Sequence, residues 1–164
     1  FARCGYAVTA FDISEQGIEK ARKLAQHNKV DVTFFKADLF DYRPDAEYDI
    51  IFSSGVLHFL PLNDRKEFCD SLKAHTADGG LNALNVFVKK PFIRRAPDTT
   101  RDEDKRHPWY SGELFRYYHD WLFHTCREDI FDCNSGGILH KHCMDTLIAQ
   151  KIVQQPERKA PETL

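Results

Sequence analysis

The chain has no run of apolar residues approaching the roughly 20 that a membrane-crossing helix needs, and no secretory signal pattern at its start. No membrane association is therefore expected. It has no excess of basic charge. The formal net charge is -2 and the pI about 6.5, which argues against a protein that grips a phosphate backbone, and no nucleic-acid partner is expected. The five cysteines (Cys4, Cys69, Cys126, Cys133 and Cys143) are odd in number and contain no C-x-x-C pair. Reduced thiols in a cytoplasmic protein are the expectation. No internal repeat is visible. An initiating methionine is also absent: Phe1-Ala-Arg-Cys-Gly5 reads as the last turn of a helix stopped by glycine, so the sequence is expected to start inside a domain. What is present is 164 residues, 42% of them hydrophobic, enough for a globular domain with its own core.

The chain is organised around Tyr6-Ala-Val-Thr-Ala-Phe-Asp12-Ile-Ser14. A short, near-continuously apolar run that stops on an aspartate fits a parallel strand covered on both faces. The carboxyl end of such a strand is where open α/β sheets take ligands. There Asp12 can accept hydrogen bonds from both hydroxyls of a ribose, or it can simply cap the helix that Ser14 opens. That helix is expected over residues 14–27, with Ile18, Ala21, Leu24 and Ala25 on one face. A second strand, 30–35, leads to Ala37-Asp38-Leu39. A third, Tyr48-Asp-Ile-Ile-Phe-Ser-Ser54, precedes an apolar segment that holds His58. Asn63 is expected to cap a helix ending at Asp78-Gly79-Gly80, and residues 81–88 form a fourth strand.

Residues 89–108 break the pattern. They carry three prolines and eleven charged side chains, including Arg94, Arg95 and Arg101, and a loop of this length inside a domain suggests a lid. Ser111 is expected to cap a helix to Trp121, with Leu114, Phe115, Tyr118 and Trp121 inward and Arg116 and Tyr117 turned the other way. Two last strands, 125–132 and 141–153, flank Asn134-Ser-Gly-Gly137, a hairpin turn signal. Residues 154–164 read as a polar tail. Alternating strands and helices followed by a hairpin give an α/β fold, doubly wound, with a mostly parallel sheet and a C-terminal antiparallel hairpin. His140 and His142 are two apart on a strand and share a face. No third ligand stands at a convincing spacing, so no metal is expected.

The acidic end of the first strand, Ala-Asp38-Leu after the second, Tyr48-Asp-Ile-Ile-Phe-Ser-Ser54 and a Gly-Gly step before the fourth strand occur together and in this order. The chain thereby resembles the class I S-adenosylmethionine-dependent methyltransferases, which have a Rossmann-like fold. Gly112-Glu-Leu-Phe-Arg-Tyr-Tyr-His-Asp-Trp121, Glu128-Asp-Ile and Thr146-Leu-Ile-Ala-Gln-Lys151 resemble, more narrowly, the tellurite-resistance (TehB-like) methyltransferases. The resemblance spans residues 1–153, a partial methyltransferase domain with 89–108 as its lid. It implies S-adenosyl-L-methionine as cofactor and a small-molecule acceptor, such as a tellurium or selenium oxyanion or a thiol.

The resemblance also implies roles. Asp12 would take the ribose hydroxyls and Ile13 would lie against the adenine. Asp38 would accept from the adenine amino group and Leu39 would pack on the ring, while Ser53 and Ser54 would lie beside the methionine part. His58, and more weakly Arg94, Arg116 and Tyr117, would face the acceptor. No side chain is assigned to covalent or acid–base catalysis. Two departures stand out. The family's first strand and its glycine-rich turn would precede Phe1, so the strands at 8–11 and 50–53 are not expected to pair with each other. The family's histidine–arginine pair after the Glu-Asp step is also unmatched, with Phe131-Asp-Cys-Asn-Ser135 in its place. Two other readings are a nicotinamide-dependent oxidoreductase of the same sheet class, for which no Tyr-x-x-x-Lys pair is found after the fourth strand, and a degenerate, non-catalytic binding domain.

Overall fold

The computed structural model describes residues 1–93, 107–134 and 137–153. The chain divides into two compact units, Phe1–Arg43 and Pro44–Leu164, each with its own sheet.

In the first unit, a 3-10 turn at Ala2–Cys4 ends on Gly5 at φ 90°, a left-handed stop that glycine adopts without strain. Strand β1, Thr9–Asp12, pairs in parallel with β2, Thr33–Lys36, and sets Asp12 opposite Lys36. Helix α1, Glu15–His27, runs between them. Its start is fixed by Ser14, whose side chain accepts the Gly17 N–H. Of the four residues expected on its apolar face, Ile18 is buried, Ala21 and Ala25 are half-buried, and Leu24 is 63% exposed. The rings of Phe11, Phe35 and Tyr42 pack together, Phe11 and Tyr42 at 4.3 Å between centroids.

The second unit holds β3 (Tyr48–Ser53), α2 (Arg65–Ala74), β4 (Thr76–Val88), α3 (Glu113–Arg116), β5 (Leu122–Cys133) and β6 (His140–Gln150). The strand order is β3-β4-β6-β5. The β3–β4 pair is parallel, and the two later strands form the expected antiparallel hairpin. β1 and β3 belong to different sheets. Along β6, Cys143, Asp145, Leu147 and Ala149 are buried and the residues between them are half-buried, the period-2 pattern of a sheet with one face packed. Leu84, Val86 and Val88 of β4 share that core with Phe68 and Leu72 of α2 and with Trp109, Leu114 and Tyr118. The β5–β6 register slips between Phe123 and Thr125, so His124 is an extra residue in β5, a bulge.

Three local expectations are corrected. Asn63 does not cap α2; a 3-10 turn at Leu62–Asp64 leads into it, and Asp64 holds the cap position without a side-chain bond. Asp78-Gly79-Gly80 does not end the helix but lies inside β4, where Gly79 and Gly80 exchange backbone hydrogen bonds with Lys151. The helix expected up to Trp121 is one turn, opened by Gly112 at φ 77° rather than by Ser111. The carbonyl of Tyr117 accepts from Lys73 Nζ at 3.2 Å, so that group is taken up by α2 instead of a longer helix. The Gly-Glu-Leu run is tied to α2 as well. Arg65 is 1% exposed, donates to Glu113 Oε1 at 2.6 Å and to the Pro108 and Leu60 carbonyls, and lies 4.1 Å from the Trp109 ring centroid. Of the expected lid, 94–106 lies outside the described residues, as does the tail 154–164.

Candidate functional site

The first unit gathers its acidic strand ends by local turns. Asp12 Oδ1 accepts the Ser14 N–H at 2.8 Å, and Asp38 Oδ1 accepts the Phe40 N–H at 3.0 Å. Both are two-residue turns in which a short acidic side chain bonds its own backbone. Asp12 thus fixes the N-cap residue of α1 and does not itself cap the helix, while its Oδ2 accepts no hydrogen bond among the described residues. Gly17 keeps that oxygen uncrowded, since a Cβ there would come within 3.2 Å of it. Beside these turns lies an open groove of about 630 Å³, walled by Ile13, Phe35, Asp38, Asp41, Tyr42 and Arg43 among others. Its volume falls within the range of small-molecule sites. Ile13 is 60% exposed, an apolar side chain left uncovered at the groove. Asp12 adjoins Ile13 without forming the wall, and Leu39, half-buried, is also off it.

In the second unit, β3 ends at Ser53, which is half-buried, and Ser54 is exposed. Asn85 of β4 holds the turn that follows: its Oδ1 accepts the Gly55 N–H at 2.8 Å and its Nδ2 donates to Ser54 Oγ at 3.0 Å. His58 is buried in a 3-10 turn at Leu57–Phe59, and its carbonyl accepts the His107 N–H at 2.7 Å. Its ring lies 4.2 Å from Phe59 and 5.2 Å from Phe87, and Phe87 in turn lies 4.8 Å from the ring of His142. A row of Ser54, Asn85, Phe87 and His142 therefore runs along the face of the sheet opposite the packed one. Arg116 is exposed. Tyr117 packs edge-on against Trp109 at 6.2 Å, and burial raises its phenol. Arg94 lies outside the described residues.

Sequence reasoning missed Asn85 and Phe87. The signal available for Asn85 was a polar residue among the apolar ones of 81–88, one that Asn82 shares. It also missed Asp145, which is fully buried, accepts the Gly112 N–H at 2.8 Å and faces Glu128 across the β5–β6 pair. Burial above all, with Glu128 adding to it, pushes Asp145 up to about 6. Glu128 itself is held below the usual range by Lys90, 2.6 Å away.

Residues 1–80 match a family described as a methyltransferase domain. The chain is similar in structure to TehB from Haemophilus influenzae, at 23% identity and a TM-score of 0.76, over 92% of this chain and 51% of that one. It is similar to magnesium protoporphyrin IX methyltransferase from Synechocystis with bound SAH (17%, 0.62, 92% and 66%), and to the [4+2]-cyclase SpnF (14%, 0.61, 93% and 69%). The chain thus spans about half the length of the TehB it matches. No helix among the described residues is long and apolar enough to cross a membrane. With the methyltransferase-domain match over its first 80 residues and the β3-β4-β6-β5 sheet closed by an antiparallel hairpin, the chain has the class I S-adenosylmethionine-dependent methyltransferase fold and is TehB-like in its architecture.

Proposed function

We propose that this chain belongs to an enzyme that transfers a methyl group from S-adenosylmethionine to a small acceptor. The observation that carries the reading is that Asp12, at the carboxyl end of β1, and Asp38, two residues beyond β2, stand at the same end of the parallel pair, beside a groove with an exposed isoleucine. The donor set fits the adenosine part of the cofactor. Asp12 Oδ2 is available to ribose hydroxyls, Asp38 to the adenine amino group, and Ile13 to the ring. Ser53 and Ser54 remain candidates for the methionine part, and Leu39 for an apolar contact made outside the groove wall.

When bound, S-adenosylmethionine supplies a methyl group on a sulfonium, open to in-line displacement. The residues of this chain then bind, orient and exclude water, the sources of rate when no covalent step is needed. A soft acceptor with a free lone pair, such as a thiolate or a tellurium or selenium oxyanion, requires little proton removal, and the reading assigns no general base. His58, buried against Phe59 and Phe87, is the acceptor-side residue with the most defined surroundings. The similarity to SpnF, a cyclase by its printed name, is a reminder that the fold alone does not fix the reaction. The methyltransferase-domain match favours methyl transfer over nicotinamide chemistry.

Calorimetric titration with S-adenosylmethionine tests the reading. Asp12→Ala is expected to weaken binding about ten- to a hundredfold, because a hydrogen bond to a charged group contributes roughly 1.5–3 kcal/mol, and Asp12→Glu is expected to weaken it less. Unchanged affinity in the alanine variant removes Asp12 from the site. Absence of binding by the parent in the intact protein favours a non-catalytic role.

A further inference from the structure

We propose that the turn end of the β5–β6 hairpin is a zinc site formed by Cys133, His140 and His142. The spacing C-x6-H-x-H is not a familiar ligand pattern, which is why the sequence offered no third donor. Strand register supplies it. Cys133 stands directly opposite His140 in the β5–β6 pair, and His142 is two residues further along the same face. One ligand atom from each residue lies within 4.8 Å of the other two. Around a tetrahedral zinc ion such donors sit about 3.3–3.6 Å apart, given Zn–N of about 2.0–2.1 Å and Zn–S of about 2.3 Å. Closing on an ion therefore needs movements of about an ångström at the end of a hairpin.

The protonation pattern points the same way. His140 Nδ1 lies 2.7 Å from the Ile138 carbonyl, which can only accept, so Nδ1 carries the proton and Nε2 of a neutral ring presents its lone pair. That Nε2 lies 2.8 Å from His142 Nε2. The two ring nitrogens thus converge on one place, where a cation can be held. A histidine that donates its other N–H to a backbone carbonyl is the usual arrangement of a zinc ligand, because the bond fixes both tautomer and ring orientation. His142 is flanked by Phe87 at 4.8 Å and Phe131 at 5.9 Å, rings that limit competition from water. The mixed sulfur and nitrogen donors suit zinc over magnesium or calcium, which take oxygen ligands. Three protein ligands leave a fourth position for water or an added ligand. This inference does not depend on the methyl-transfer reading.

The test uses the untagged full chain, stripped with chelator and titrated with zinc, and separately with cobalt(II) as a spectroscopic substitute. One equivalent is expected to bind with micromolar or tighter affinity. The cobalt form is expected to show a near-ultraviolet thiolate-to-metal band that reads Cys133 without any substitution. Cys133→Ser, His140→Ala and His142→Ala should each weaken zinc binding by about tenfold or more, whereas His124→Ala, on the same hairpin but at the bulge, should not. Lack of saturable binding by the parent, a cobalt spectrum without the thiolate band, or full affinity in Cys133→Ser or in either histidine variant overturns the site.

Discussion

Carboxylates are held in two opposite ways in this chain. In the first unit, Asp12 and Asp38 each bond an N–H two residues along their own backbone, and no distant side-chain partner supports them among the described residues. In the second, three acidic groups are held by partners far along the chain. Glu113 meets Arg65, Glu128 meets Lys90, and Asp145 takes the N–H of Gly112. The local kind leaves oxygen capacity facing solvent and suits a ligand. The distant kind uses its capacity inside the structure and suits holding elements together. Position in a functional fold does not by itself make an acidic residue functional; where its remaining lone pairs point decides that.

Breaking the buried ion pair should separate the two kinds most sharply. Glu113→Ala leaves the Arg65 guanidinium, 1% exposed, without its counter-charge, and removing one partner of a buried pair costs about 3–5 kcal/mol. Urea denaturation measures it, and a loss within the range of exposed pairs would erase the distinction. Asp145→Asn should act next most strongly, and with the opposite sign. The fold raises the carboxyl of Asp145 to about 6, so the folded chain binds that proton more tightly than the unfolded chain does. Stability from this group is complete below pH about 4 and is lost as pH rises through about 6, a total of about 3 kcal/mol. The asparagine variant keeps an acceptor for Gly112 and carries no charge, so it should be more stable than the parent at pH 8 and show little gain at pH 4. Equal effects at both values would remove burial of the charge as the cause. The smallest effect belongs to the local kind. Ser14→Ala removes one helix cap and should cost about 1 kcal/mol, seen as a lower Tm with the α1 register unchanged.

The same division explains what could be read before the structure. Helix α1, its Ser14 cap, the Gly5 stop and both acidic strand ends follow from neighbours within four residues, and they are where the sequence placed them. The hairpin was legible because its turn signal is local. The misreadings sit where a distant group decides. Asp78-Gly79-Gly80 looks like a helix stop until Lys151 takes its hydrogen bonds. Gly112 to Trp121 looks like a helix until Lys73 draws off the Tyr117 carbonyl. Arg65 drew no reading from the sequence, and only its place against Trp109 and Glu113 shows its role. Leu24 fits the helical period and is nevertheless exposed, because spacing specifies a face without specifying what covers it. Cys133 was invisible as a partner of His140 because strand register is a relation between two segments.

The bulge at His124 governs more than a local kink. Phe123 opposes Ala149, on the packed face of β6, whereas Thr125 opposes Ile148 and Cys133 opposes His140, on the other face. One supernumerary residue has inverted the parity of everything after it. Straightening the strand with His124 kept, so that His124 itself opposed Ile148, would turn Phe131 and Cys133 toward the core and push Asp132 onto the histidine face. The bulge thus sets the phase of the strand, and with it which chemistry the hairpin displays.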